Sequence, residues 1–288
     1  MNLRPFIAFL QEAQLTPQCR VRIAPTPSGW LHVGNALNFI LNALLAKCHT
    51  NGQVLLRIDD LDTARKRPEY LQDIFQTLEW LGLEWQEGPS GPEELERDWS
   101  QQRRLPLYKK TLEQLREKHL VYPCARSRSD LAAGIEADIT PDLDMDLDRP
   151  MINWRALTPP GLALQHFVVR QRNGFPSYQV ASLTDDVHFR ISHLVRGADL
   201  LPSTEAQRWM ATELGYLDFV RVPCYHHPLI TLPSGEKLSK SAGATALKTQ
   251  REEGHSPAFI FRQIANWMGI ESQNVKSLSE LAASLPIR

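Results

Sequence analysis

Leu37, Ile40, Leu41, Leu44 and Leu45 recur at helical spacing over residues 34–48, directly after the short β-branched run V-R-I-A (21–24). The order then repeats. V-L-L-R-I (54–58) leads through D-D-L-D into residues 68–82, where Leu71, Ile74, Phe75, Leu78 and Leu81 form one apolar stripe. A helix over 100–118 and the run L-V-Y-P-C (120–124) follow. Strands separated by helices of this length predict a parallel sheet with right-handed crossovers. Between residues 125 and 165 the pattern breaks, and D-I-T-P-D-L-D-M-D-L-D-R-P (138–150) carries acid at every second position. It lacks the glycine and terminal glutamate of a calcium loop and reads as an exposed acidic loop. A period of two returns in H-F-V-V-R-Q (166–171), closed by Asn-Gly, so the middle region is expected as an insertion with strands. The α/β pattern resumes with a strand at I-S-H-L-V-R (191–196) and a helix over 205–214, with Thr204 and Gln207 as its capping box. A strand over 222–230 and an apolar helix over 256–268 complete it.

Composition changes this picture little. With 288 residues, 42% hydrophobic and 23% charged, the chain is expected to form a main domain with an appendage. A formal charge of −1 argues against strong bulk attraction to nucleic acid, while leaving local basic clusters such as Arg65-Lys66-Arg67. Cys19, Cys48, Cys124 and Cys224 are too scattered for a disulfide framework or a C-x-x-C metal pair. No apolar run reaches the length of a membrane span. The N-terminus, interrupted by Gln11 and Glu12, reads as a short helix rather than a signal peptide, and the expected location is cytoplasmic.

Two stretches carry chemistry. P-T-P-S-G-W-L-H-V-G-N (25–35) joins a strand to a helix start, where free N–H groups and the helix dipole favour an anion. Gly29 and Gly34 allow a sharp turn and close approach, and His32 can donate to a phosphate oxygen or simply cap the helix. About 200 residues later, G-E-K-L-S-K-S-A-G-A (235–244) offers two lysines three apart, suited to the spread negative charge of a phosphoryl-transfer transition state.

H-V-G-N and K-L-S-K-S resemble the two signatures of class I aminoacyl-tRNA synthetases. R-I-A-P-T-P-S-G-W-L-H-V-G-N, L-R-I-D-D-L-D, Y-Q-V-A-S-L-T-D-D, L-V-R-G-A-D-L-L-P-S-T and H-H-P-L-I resemble the glutamyl branch, in order, over roughly residues 18–270. The glutamyl enzymes continue into anticodon-binding helical domains, whereas this sequence stops soon after Ser241. That shorter form is similar to the glutamyl-queuosine tRNA(Asp) synthetases, which place glutamate on queuosine in the anticodon of tRNA(Asp).

The resemblance implies a Rossmann-like catalytic domain with a parallel sheet, an inserted α+β subdomain and a short helical C-terminal segment. The expected divisions are an N-terminal extension (1–17), a first catalytic half (18–124), an inserted acceptor-binding subdomain (125–165), a second half with the lysine loop (166–245) and a helical segment (246–288). It implies catalytic roles for His32, Lys237 and Lys240, and ATP contacts at Pro27, Gly34, Asn35, Leu238 and Ser239. Mg²⁺ would accompany ATP, held mainly by its phosphates. Glutamate would meet Arg22, Ala24, Ser28, Asp59, Tyr178 and Arg196, with an arginine fork as the partner of its side-chain carboxylate.

Two departures stand out. The family's R-I-E-D has a glutamate facing the substrate ammonium, where this chain has the shorter Asp59. The family also commonly holds zinc through C-x-C and later ligands, but Cys124-Ala125-Arg126 breaks that pair, so no structural zinc is expected. Two alternatives stay open: a glutamyl ligase with another acceptor (a tRNA 3′ end, a small molecule or a carrier), and a non-catalytic RNA-binding paralogue.

Overall fold

The computed structural model describes residues 1–126, 147–149, 151–230 and 246–287. In chain order its main elements are α1 (Arg4–Gln14), β1 (Cys19–Ile23), α2 (Val33–Lys47), β2 (Gly52–Leu56), α3 (Pro68–Trp80), α4 (Leu105–Glu117), β3 (Val121–Cys124), β4 (Asn153–Ala156), β5 (Val168–Arg170), α5 (Tyr178–His188), β6 (Leu194–Gly197), α6 (Leu201–Leu214), β7 (Cys224–His227), α7 (Leu247–Glu252), α8 (Ala258–Met268) and α9 (Leu278–Ala283). They fall into two compact units. The first is Met1–Arg103 with Ile191–Asp199 and Val222–Arg288; the second is Arg104–Arg190 with Leu200–Arg221.

The first unit is built on parallel strands. β1 pairs with β2 from Cys19↔Gly52 to Ile23↔Leu56, and β6 pairs with β7 from Leu194↔Cys224 to Gly197↔His227. β6 lies beside β1, where Ser192 N–H donates to the Arg20 carbonyl at 2.9 Å. The crossover α2 fills the concavity with Leu37, Ile40, Leu41 and Leu44, all buried, as the 3.6-residue stripe requires. α3 contributes Ile74 and Leu78 to the same core. The first residues belong to this core too: Leu3, Phe6 and Leu10 are wholly buried, and Leu3 N–H donates to the Trp267 carbonyl at 2.8 Å. What reads in the sequence as an extension is a packed wall of the unit.

The second unit holds an antiparallel sheet in the order β3-β4-β5, beside α4, α5 and α6. It is larger than the stretch at which the sequence pattern breaks, and the strand expected over 166–171 is only β5. Most of the acidic loop (138–150) lies outside the described residues. α6 begins at Leu201, earlier than the expected capping box. Thr204 sits inside the first turns and its hydroxyl donates back to the Leu200 carbonyl at 3.1 Å, a local bond that competes with capping. No helix among the described residues is long and apolar enough to cross a membrane.

Candidate active site

In an open parallel sheet, ligands settle outside the carboxyl ends of the strands. In the first unit, that edge carries the 24–32 turn after β1, residues 57–60 after β2, Arg196 at the end of β6 and His227 at the end of β7. The ladder extends past the strands, with Arg57 N–H donating to the Ile23 carbonyl and Asp59 N–H to the Pro25 carbonyl, both at 2.9 Å. This fixes Asp59 next to the turn that holds Pro27, Ser28 and His32.

His32 is the N-cap of α2. Its Nδ1 accepts from Gly34 N–H at 3.1 Å, while the Asn35 side chain accepts from His32 N–H at 3.0 Å, a reciprocal capping box. Because Nδ1 is an acceptor, the proton of a neutral imidazole sits on Nε2, which is therefore a donor. Capping therefore engages one ring nitrogen, Nδ1, and leaves the proton on the other. Gly34 is needed for space, since a Cβ there would lie 2.9 Å from His32 Cε1.

Arg22 and Arg196 are both buried on neighbouring strands, at 4% and 1% exposure. An arginine is rarely this buried unless it is paired. Arg22 Nη1 donates to the Val195 carbonyl at 3.4 Å. The same carbonyl accepts from Asn38 Nδ2 at 3.2 Å and Asn42 Nδ2 at 3.3 Å, both on α2. Asn38 Nδ2 also approaches His227 Nε2 at 3.2 Å, and His227 Nδ1 contacts the Pro228 carbonyl at 2.9 Å. His227 therefore carries its proton on Nδ1 and accepts from Asn38, and burial pulls its pKa down against the raising effects of Pro228 and Asp199. This amide–histidine frame sets the main chain just before Arg196.

The two adjacent aspartates have different surroundings. Asp59 is gripped by Arg57, with Nε–Oδ1 at 2.7 Å and Nη2–Oδ2 at 3.3 Å. Asp60 is buried and accepts from Lys66 Nζ, Ser100 Oγ and Gln101 N–H, each at 2.8 Å. Asp60 is saturated by structural donors, whereas Asp59 remains partly accessible, with 11% of its side chain exposed.

Tyr178 opens α5 in the second unit and is 38% exposed. Sequence reasoning missed the buried network in that unit: Arg104 Nε donates to Asp185 Oδ1 at 2.7 Å, and the Tyr108 hydroxyl donates to the same oxygen at 2.9 Å. Burial foremost, and then the Asp185 charge, push the Tyr108 phenol well above its ordinary range. Lys237, Leu238, Ser239 and Lys240 lie outside the described residues. Among the described residues, no three His, Cys, Asp or Glu side chains gather as a metal site. Sequence reasoning also left Arg57, Asn38, Asn42 and His227 unassigned. The alternation of Arg57 and Asp59 after a strand was a usable signal, because residues two apart share a face.

The fold is that of a class I synthetase catalytic domain. A family model described as tRNA synthetases class I (E and Q), catalytic domain, matches residues 18–158 and 152–283, and the chain belongs to that family. It is 35% identical to a glutamyl-Q tRNA(Asp) synthetase of Symbiobacterium thermophilum, across 88% of this chain and 87% of that protein. It is 34% identical to the glutamate–tRNA ligase of the same organism, across 86% of this chain but 58% of that ligase. Among solved structures it is similar to a glutamate-tRNA synthetase from Elizabethkingia anophelis, with a TM-score of 0.73 and 24% identity, covering 93% of this chain and 65% of that one.

Proposed function

We propose that the protein activates glutamate with ATP to glutamyl-adenylate and transfers it to queuosine in the anticodon of tRNA(Asp). The observation that carries the first half is the strand edge of the first unit, where two buried arginines, the Asp59 carboxylate and a His32-capped helix start are held together. ATP would lie over the start of α2, near Pro27, Gly34 and Asn35, with its phosphates toward His32 Nε2. The α-carboxylate of glutamate would attack the α-phosphorus, releasing pyrophosphate, with Lys237 and Lys240 offsetting the charge that develops. Arg22 or Arg196 would take the side-chain carboxylate, Asp59 the ammonium group, and Ala24 and Ser28 would shape the pocket. Mg²⁺ would be held by the ATP phosphates and water. Positioning and electrostatics suffice, and no protein nucleophile is required.

The acceptor rests on the similarity to a glutamyl-Q tRNA(Asp) synthetase along most of both chains. The comparable identity to a glutamate–tRNA ligase supports the same amino acid with a 3′-terminal acceptor as the second reading. ATP–pyrophosphate exchange over all amino acids, with and without tRNA, tests the activation step; glutamate alone should support it, without tRNA. Labelled glutamate should then pass to tRNA(Asp) that carries queuosine and not to the same tRNA lacking it. Transfer to tRNA(Glu) instead would establish the second reading.

A further inference from the structure

Leu31 directly precedes His32, and both of its main-chain polar groups are taken by distant parts of the first unit. Its N–H donates to Asp73 Oδ2 on α3 at 3.4 Å, and its carbonyl accepts from Leu247 N–H at the start of α7 at 2.9 Å. Asp73 closes the loop between these elements. Its Oδ1 accepts from Arg251 Nη2 on α7 at 2.9 Å, and Arg251 also reaches Thr77 Oγ1 at 2.8 Å and Gln76 Oε1 at 3.0 Å. One residue from Leu247, Lys248 Nζ stands 4.0 Å from the centre of the Trp30 ring, which packs edge-on against Tyr70 at 4.9 Å. Asp73 keeps 2% of its side chain exposed and Arg251 17%, so this ion pair is desolvated enough to be selective about geometry.

We propose that Asp73 and Arg251 are positioning residues for adenylate formation. They clamp the main chain before His32 to α7, the helix that follows K-L-S-K-S in the chain. The clamp rests on the ATP reading above only for its catalytic consequence. A simple α3–α7 staple would need the Arg251 contacts to Asp73, Gln76 and Thr77 alone. The added capture of both Leu31 groups and of Trp30 ties the His32 turn to the same joint. Displacing a phosphate-binding turn by about 1 Å costs on the order of a hundredfold in rate, so a loosened clamp should appear in turnover.

The test uses the full chain with Arg251→Met, Arg251→Lys, Asp73→Asn, the double variant Asp73→Asn/Arg251→Met, and Lys248→Met. In ATP–pyrophosphate exchange, Arg251→Met and Asp73→Asn should lower kcat by about ten- to a hundredfold with KM for glutamate within twofold of wild type, a loss confined to the transition state. The double variant should lose less than the product of the two single losses, because the Asp73–Arg251 bond is common to both. Arg251→Lys should recover part of the rate. Independently of activity, hydrogen exchange should show amides 31–35 losing protection while the strand amides keep theirs. An unchanged kcat in folded Arg251→Met, or unchanged protection at 31–35, overturns the proposal. Should the Asp73 and Arg251 variants not fold, Lys248→Met decides by the same two readouts, its side chain being 34% exposed. A wild-type protein inactive with every amino acid would defeat the proposed function, and the exchange protection would still decide the clamp.

Discussion

Arg57 Nε and Nη2 approach both oxygens of Asp59, so a ligand ammonium bound there would share a carboxylate with a guanidinium. A carboxylate has about four acceptor directions, so the two roles are compatible, and Arg57 would fix which lone pairs remain for the ligand. Asp59→Asn should raise KM for glutamate by about ten- to a hundredfold, the equivalent of about 1.5–3 kcal/mol for a bond to a charged group. It should also destabilise the fold by about 3 kcal/mol or less, because Arg57 is buried beside it. Adding Arg57→Met should restore part of the stability but none of the glutamate affinity. Recovery of both in the double variant would make Asp59 a structural partner of Arg57 only. The placement of Arg22, His32, Asp59 and Arg196 at strand ends was legible in the sequence, because each sits in a short motif tied to a strand. The Arg57 grip was half legible through its spacing of two. Asp73 was not: 178 residues separate it from Arg251, and nothing local distinguishes it from any acid on a helix face.

At the scale of elements, α2 shows why strand–turn–helix motifs read well. The apolar stripe sets its length, and the H-V-G-N start supplies its own cap, so propensity, patterning and capping agree. Asn35→Ala removes the acceptor of His32 N–H and should cost about 1 kcal/mol, the usual value of a lost cap. For a protein of this size that corresponds to a fall in Tm of about 2–4 °C. Asn35→Asp keeps the acceptor and should restore it. A scanning-calorimetry Tm unchanged by Asn35→Ala would show that the box contributes nothing to stability. α6 reads less well for a physical reason. Thr204 and Gln207 have the spacing of a capping box, but Pro202 at the second helical position starts the helix earlier, and Gln207 is buried with its amide donating to the Gln179 carbonyl at 3.3 Å. A polar pair with local spacing was claimed by tertiary contacts, which a sequence pattern does not carry.

Over the whole chain, the buried titratable groups make stability depend on pH at both ends. Burial pulls His193 and His227 below the ordinary histidine value of 6.5, so they stay neutral in the fold but take up protons once exposed. Their contribution is complete above pH 6.5 and is lost as pH falls, because the unfolded chain then binds more protons, at up to about 1.4 kcal/mol per pH unit for each histidine. On the alkaline side, burial raises Cys19 to about 12 and Cys48 to about 11, from an ordinary 9.0. Their contribution is complete below pH 9 and declines as pH rises toward those folded values, since only the unfolded chain readily ionises. Tyr108, Tyr122 and Tyr225 are shifted upward in the same sense, burial being the largest cause in each. The urea midpoint should therefore be flat between about pH 6.5 and 9 and fall on both sides. Five of the seven tryptophans lie in the first unit with both histidines and both cysteines, so tryptophan fluorescence reports chiefly on the unit where these groups act. His193→Gln and His227→Gln together should flatten the acid limb between pH 6.5 and 5.5 and leave the alkaline limb as it was. A wild-type midpoint that does not move between pH 7 and 5.5 would mean that the two histidines take up protons within the fold as readily as outside it.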